Sequence, residues 1–138
     1  MLNLAIVINA AIIEDNRILL VGKKYDPEIE HLILPGGKKE AGESDLECLT
    51  REVGEELSGA KIKINPANYK SFSGATPSGK KALVKVYFAE LINGREIKNS
   101  NEISSVLWAE YNLAIHRRNL SDITRAILNA LHEDKYLS

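Results

Sequence analysis

The sequence predicts one domain of mixed α/β class, on three observations. A helix with its own start signal begins near Asp45: Ser44 followed by Glu47 has the form of a capping box, and Leu46, Leu49, Val53 and Leu57 then recur at helical spacing. In residues 82–92, Val84, Val86 and Phe88 alternate with Lys85 and Tyr87, the period of a β-strand. A closing helix capped by Ser121 carries Ile123, Ala126, Ile127, Ala130 and Leu131 as its buried stripe. The 138 residues are enough for one proper core and short for two, so residues 1–138 are read as a single domain.

The remaining elements follow in chain order. Residues 4–13 form an apolar run broken by Asn9; with the turn Glu14-Asp15-Asn16 and residues 18–21 they read as a hairpin. Residues 23–30 are a polar loop, and Leu32-Ile33-Leu34 a short strand feeding Gly36-Gly37. Residues 61–64 and 69–73 suggest two further short strands, Asn93-Gly94 a turn, and residues 106–109 a last strand. The apolar opening lacks the basic leader and cleavage site of a signal peptide, and no run approaches a membrane-spanning length.

A net charge of -1 and a pI near 6.3 point away from long nucleic acids and acidic membranes. One cysteine, Cys48, permits no intrachain disulfide, which fits a reducing, cytoplasmic setting; nothing basic beside it marks a nucleophile. His31, His116 and His132 lack metal-ligand spacing and read as ordinary loop or helix residues.

The chemistry concentrates in the 45–57 helix. Glu52, Glu55 and Glu56 stand at i, i+3 and i+4, so they emerge as neighbours on an arc largely opposed to the apolar stripe. Three such carboxylates repel one another unless cations hold them, and oxygen donors suit Mg²⁺ or Mn²⁺. Glutamates on an outward face are ordinarily solvated surface. Here Gly36-Gly37 ahead of the helix let the backbone approach a ligand, and Arg51 is able to grip a neighbouring carboxylate. Gly54, which costs roughly 1 kcal/mol in a helix interior, reads as a place of close approach.

Gly37, five residues, Glu43, seven residues, then Arg51-Glu52-Val53-Gly54-Glu55-Glu56 resembles the signature of the Nudix hydrolases, spanning residues 37–59. The match departs at its end, where Ser58 and Gly59 displace the family's glycine by one place. The order of elements resembles the Nudix α/β/α sandwich with a central mixed sheet. The resemblance implies metal binding by Glu52, Glu55 and Glu56 with the Gly37 carbonyl, and bracing of the box by Glu43 and Arg51. It further implies a Mg²⁺-dependent hydrolase of nucleoside diphosphates linked to a moiety X, with Mn²⁺ as a substitute and a small nucleotide as partner. Glu52, Glu55, Glu56, Arg51 and Glu102 form the implied catalytic set, the general base being Glu56, Glu55 or Glu102.

Similarity to the small MutT-type members points to canonical or oxidised (deoxy)nucleoside triphosphates, split to monophosphate and pyrophosphate. The alternatives are an ADP-ribose or nucleotide-sugar pyrophosphatase, a non-catalytic nucleotide sensor, and an enzyme decapping RNA. Lys23, Tyr25, Lys80 and Asn119 are candidate substrate contacts, with Lys24, Lys81, Phe72 and Tyr87 behind them; Glu90 is an odd charge on an apolar strand face. Residues 74–80 have P-loop spacing, but Lys81 replaces the metal-holding hydroxyl and a strand follows, so they read as a turn set by Pro77 and Gly79.

Overall fold

The computed structural model describes residues 4–25, 29–76, 79–92 and 100–138, with Tyr25 described by its backbone alone. The elements are β1 (Ala5–Ala11), β2 (Ile13–Glu14), β3 (Arg17–Tyr25), β4 (Ile29–Ile33), β5 (Gly36–Lys38), α1 (Asp45–Glu56), β6 (Ile62–Ala75), β7 (Lys81–Leu91), β8 (Ser105–Ala109), α2 (Tyr111–Ala114) and α3 (Asp122–Glu133).

A mixed four-stranded sheet runs β5-β1-β7-β6, with β1 parallel to β7 and the other pairings antiparallel. A second, antiparallel sheet gathers β2, β4 and β8 on β3. Strand alternation sorts the apolar residues onto two faces. Ile8, Ala10, Leu19 and Val21 join Leu49 and Val53 of α1, while Ala11, Ile18, Leu20 and Val84 join Ile127 and Leu131 of α3. Helices thus cover both faces, the expected α/β/α sandwich. Each fully buried Leu or Ile contributes roughly 1.5–3 kcal/mol, so both layers are anchored.

Four expectations are corrected. The apolar run does not fold back on residues 18–21 as one hairpin arm. It splits at Ile12, β1 enters the mixed sheet, and only Ile13 and Glu14 pair with β3. Asp15 and Asn16 make that turn with φ of 50° and 60°, the left-handed conformations a two-residue hairpin loop requires. The polar loop shrinks because β3 and β4 extend through Lys23, Lys24 and Glu30, cross-strand pairing outweighing their polarity. The two short strands after α1 are one long β6, irregular between Ile64 and Lys70, where Pro66 lacks the N–H a regular ladder needs. In α3, Thr124 and Leu128 are buried and Ala126 is exposed, so the inward stripe lies slightly round the helix from the sequence assignment. Pro77 and the Asn93-Gly94 turn lie outside the described residues. Among the described residues no helix is long and apolar enough to cross a membrane.

Candidate active site

The site is built where β5 meets α1. Ser44 caps α1 reciprocally: its Oγ accepts the Glu47 N–H at 3.1 Å, and its own N–H donates to Glu47 Oε1 at 2.9 Å. Asp45, the first helical residue, pins the helix to β7, accepting from the Tyr87 hydroxyl at 2.6 Å and Lys85 Nζ at 3.2 Å, with Lys39 Nζ at 3.0 Å. Burial works to raise the Asp45 carboxyl, but the tyrosine hydroxyl and the two ammonium groups hold it at about 2.

At the far end the Gly59 N–H reaches back to the Gly54 carbonyl at 2.8 Å, the bond of a Schellman exit. Ser58 takes the left-handed position with φ of 43°, and Gly59 follows with φ of 86°. The displaced glycine therefore leaves the exit intact and puts a side chain where glycine is at ease. Gly54 is not a point of close approach: a Cβ there would come no nearer than 3.9 Å to the Ala60 carbonyl oxygen.

Gly36 is sterically required, and a side chain on Gly37 would displace the Glu52 carboxylate. A Cβ on Gly36 (φ +142°) would lie 2.0 Å from the Ile8 carbonyl oxygen, and one on Gly37 would lie 2.3 Å from the Glu52 carboxyl carbon. Cys48 lies beneath, fully buried, its Sγ 3.7 Å from the Gly37 carbonyl oxygen, with burial pushing the thiol up to about 12.

Arg51 organises the acids. Its Nε and Nη2 donate to the two oxygens of Glu43 at 3.0 and 2.7 Å, and Nη1 donates to Glu52 Oε1 at 2.9 Å and to Glu55 at 3.5 Å. The guanidinium and the Glu40 N–H hold Glu43 at about 2, and Glu43 in turn pushes Arg51 above its ordinary value. Glu56 differs from its neighbours. The expected outward trio is broken, because Glu56 is fully buried while Glu55 is exposed. Its Oε1 accepts the Gly36 N–H at 2.9 Å; Oε2 has no hydrogen bond and lies 3.6 Å from Lys23 Nζ. Burial raises this carboxyl to about 7 against the pull of the Gly36 amide and Lys23.

An all-oxygen donor set that includes a buried oxygen without a hydrogen bond suits a hard divalent cation in donor type. Among the described residues, no three acidic, histidine or cysteine side chains stand ready-gathered around a cation; Arg51 occupies the place between Glu52 and Glu55.

The other named residues distribute as follows. Lys23 and Lys80 line one cavity with Gly36 and Gly37. Asn119 is turned elsewhere: its Nδ2 donates to Glu30 Oε1 at 3.2 Å and its carbonyl accepts the Leu32 N–H, tying the chain before α3 to β4. The Tyr25 side chain lies outside the described residues. Glu102 is exposed, on a segment joined to the end of α1 through the Ser100 N–H and the Glu56 carbonyl at 3.0 Å. Glu90 is exposed opposite Lys63, Tyr87 is committed to Asp45, and Phe72 packs on the α3 side. Residues 74–80 contain the link from β6 to β7, with the Gly79 N–H on the Thr76 carbonyl at 2.8 Å, not a strand-to-helix phosphate loop. His132 stacks on Tyr111 at 4.0 Å. Sequence reasoning missed Asn9, Lys38 and the Ser121–Thr124 pair as cavity lining. The signal available was Asn9 itself, a lone amide in an apolar run.

Comparison with known proteins agrees with this architecture. The profile of the NUDIX domain matches residues 4–131. The MutT protein from Methanosarcina mazei Go1 superposes with a TM-score of 0.81 at 21% identity, over 98% of this chain and 99% of that one. An Ap4A hydrolase from C. elegans gives 0.75 at 21% identity, over 95% and 97%. A MutT NUDIX hydrolase from Burkholderia pseudomallei gives 0.71 at 26%, over 91% and 95%. No curated protein matches the sequence.

Proposed function

The chain belongs to the Nudix family of pyrophosphohydrolases, and from that premise we propose that it hydrolyses nucleoside triphosphates, canonical or oxidised, to the monophosphate and pyrophosphate. The observation that carries the reading is the pairing of an Arg51-bound acid cluster with a buried Glu56 whose Oε2 lacks a hydrogen bond, both against the glycine turn. Mg²⁺ is the proposed cofactor, for which Glu52, Glu55 and Glu56 would be the holders; bound there, it supplies neutralisation of phosphate charge and acidification of water.

The chain's own groups do the rest. The glycine turn lets phosphate oxygens approach the backbone, and Lys23 and Lys80 offer cations along the same cavity. Glu56 is held in one orientation by the Gly36 amide and lies beside Lys23, sealed from solvent. The exposed Glu55 is therefore the carboxylate that water reaches and that takes the proton from the attacking water. Water then adds to phosphorus and the anhydride oxygen leaves with the pyrophosphate. Arg51 keeps Glu43, Glu52 and Glu55 from moving apart before substrate arrives.

Glu55→Gln and Glu56→Gln preserve shape and remove charge. Each is expected to lower Mg²⁺-dependent turnover by about 10²-fold or more with the fold retained by circular dichroism. Unchanged turnover in both refutes the assignment of these residues. A release assay across NTPs, oxidised dNTPs, ADP-ribose, nucleotide sugars and dinucleoside polyphosphates identifies the substrate; binding without release favours a sensor.

A further inference from the structure

The cavity beside the glycine turn contains a polar group that the chemistry above does not use. Asn9, on β1 and in register with Gly36, is only 7% exposed. Among the described residues, nothing hydrogen-bonds its side-chain amide. The amide is not among the sealed polar atoms that lack a partner, so the residue's small exposure falls on the amide, which is open to solvent or to a ligand. It is accessible from one direction only: Asn9 lines a cavity of about 230 Å³ with Val7, Val84, Ile33 and Ile123.

The other polar groups there are already committed or of one sign. Ser121 Oγ and Thr124 Oγ1 share a hydrogen bond at 2.6 Å, and Thr76 Oγ1 accepts the Lys80 N–H at 3.2 Å. Lys23 and Lys38 are cations beside the glycine turn, and Lys80 is a cation at the β6–β7 link, toward the start of β1. Asn9 is thus the amide in the lining that presents a donor and an acceptor side by side, between apolar walls. Its carbonyl oxygen abuts Gly36, for a Cβ on that glycine would lie 2.8 Å from Asn9 Oδ1. The volume lies below the roughly 300–1,000 Å³ of pockets for drug-sized ligands, so it takes one heterocycle and not a whole nucleotide.

We propose that Asn9 is a specificity-determining residue: its amide pairs with the hydrogen-bonding edge of the substrate's nucleobase, seated between Val7, Val84 and Ile33 while the phosphates run toward Gly36 and Lys23. The inference rests on the reading that the β5–α1 site takes the phosphates. Asn is suited to the task because a base edge sets a donor beside an acceptor, as does a carboxamide. A pocket built to hydrogen-bond its ligand also rejects ligands that leave the amide unpaired.

The test compares wild type with Asn9→Leu, similar in bulk but apolar, and Asn9→Asp, which replaces the donor with a second acceptor. Binding of the four nucleoside monophosphates and of base-free ribose 5-phosphate is measured by calorimetry, and kcat/KM for the four NTPs with Mg²⁺. Wild type is expected to bind its preferred monophosphate about tenfold or more tighter than ribose 5-phosphate; Asn9→Leu reduces that affinity about tenfold and levels the ranking of bases. Asn9→Asp reorders the ranking toward an edge richer in donors. A structural Asn9 would instead lower Tm on substitution and leave the ranking of bases as it was. An unchanged ranking in both variants, or a lower Tm with the ranking kept, overturns the proposal. Base-ranked binding set by Asn9 in a protein that hydrolyses no NTP would leave this pocket standing and remove the hydrolase reading alone.

Discussion

Glu56 combines no exposed surface, one oxygen on the Gly36 amide and another without a hydrogen bond. Its folded pKa of about 7 stands above the ordinary 4.5, so between these values the native state binds the extra proton. Stability is therefore present at the acidic end of that window and is lost as pH rises through about 7, by about 3 kcal/mol in all. Urea denaturation of chelator-treated protein at about pH 5 and about pH 8 should show this loss in wild type and not in Glu56→Gln. Equal slopes in the two proteins would contradict the buried-carboxylate account. The i, i+3, i+4 spacing was legible because helical geometry fixes which side chains are neighbours, and the Arg51–Glu43 pairing was implied by the resemblance to the Nudix signature. The depth of Glu56 was not legible. Depth depends on the Gly36 N–H, which approaches from 20 residues away in the chain.

The α1 element shows how local signals and tertiary contacts divide the work. Its start was readable to the residue, since Ser44 and Glu47 satisfy each other's backbone without outside help. Its interior and exit hold two unused increments of stability. Gly54→Ala should stabilise by about 0.5–1 kcal/mol, as the space for a Cβ is open and helical Gly is disfavoured. Ser58→Gly should add about 0.5–1 kcal/mol by relieving the left-handed serine at the exit. Shifts in urea midpoint at constant m-value check both, and a loss of stability in either would mean that its site is tighter than these distances indicate. In β6 the opposite holds. Pro66 broke the sequence pattern, yet β7 pairs on both sides of it and carries the strand across as an irregularity.

Over the whole molecule, the strand pattern revealed which faces are buried and not which strands are partners. The apolar run of residues 4–13 is satisfied equally by pairing with β3 or with β7, and the parallel β1–β7 register is a long-range outcome. The class, the helix count apart from α2 and the location of the acids were nonetheless readable. If Glu52, Glu55 and Glu56 hold Mg²⁺, the ion stabilises only the folded state, by about 2.7 kcal/mol at a hundredfold excess over Kd. Scanning calorimetry should show Tm climbing with the logarithm of Mg²⁺ concentration in wild type and staying level in Glu52→Gln. A level wild-type response would count against the carboxylate set.

Cys48 adds a practical corollary. It is the chain's sole cysteine, sealed under α1 beside the Gly37 carbonyl with its thiol pushed up to about 12. Native protein should therefore resist alkylation, and labelling would proceed only through excursions that lift α1 off the sheet. The speed of that labelling is a built-in stopwatch for how often the acidic helix comes loose, and a bound nucleotide should slow it.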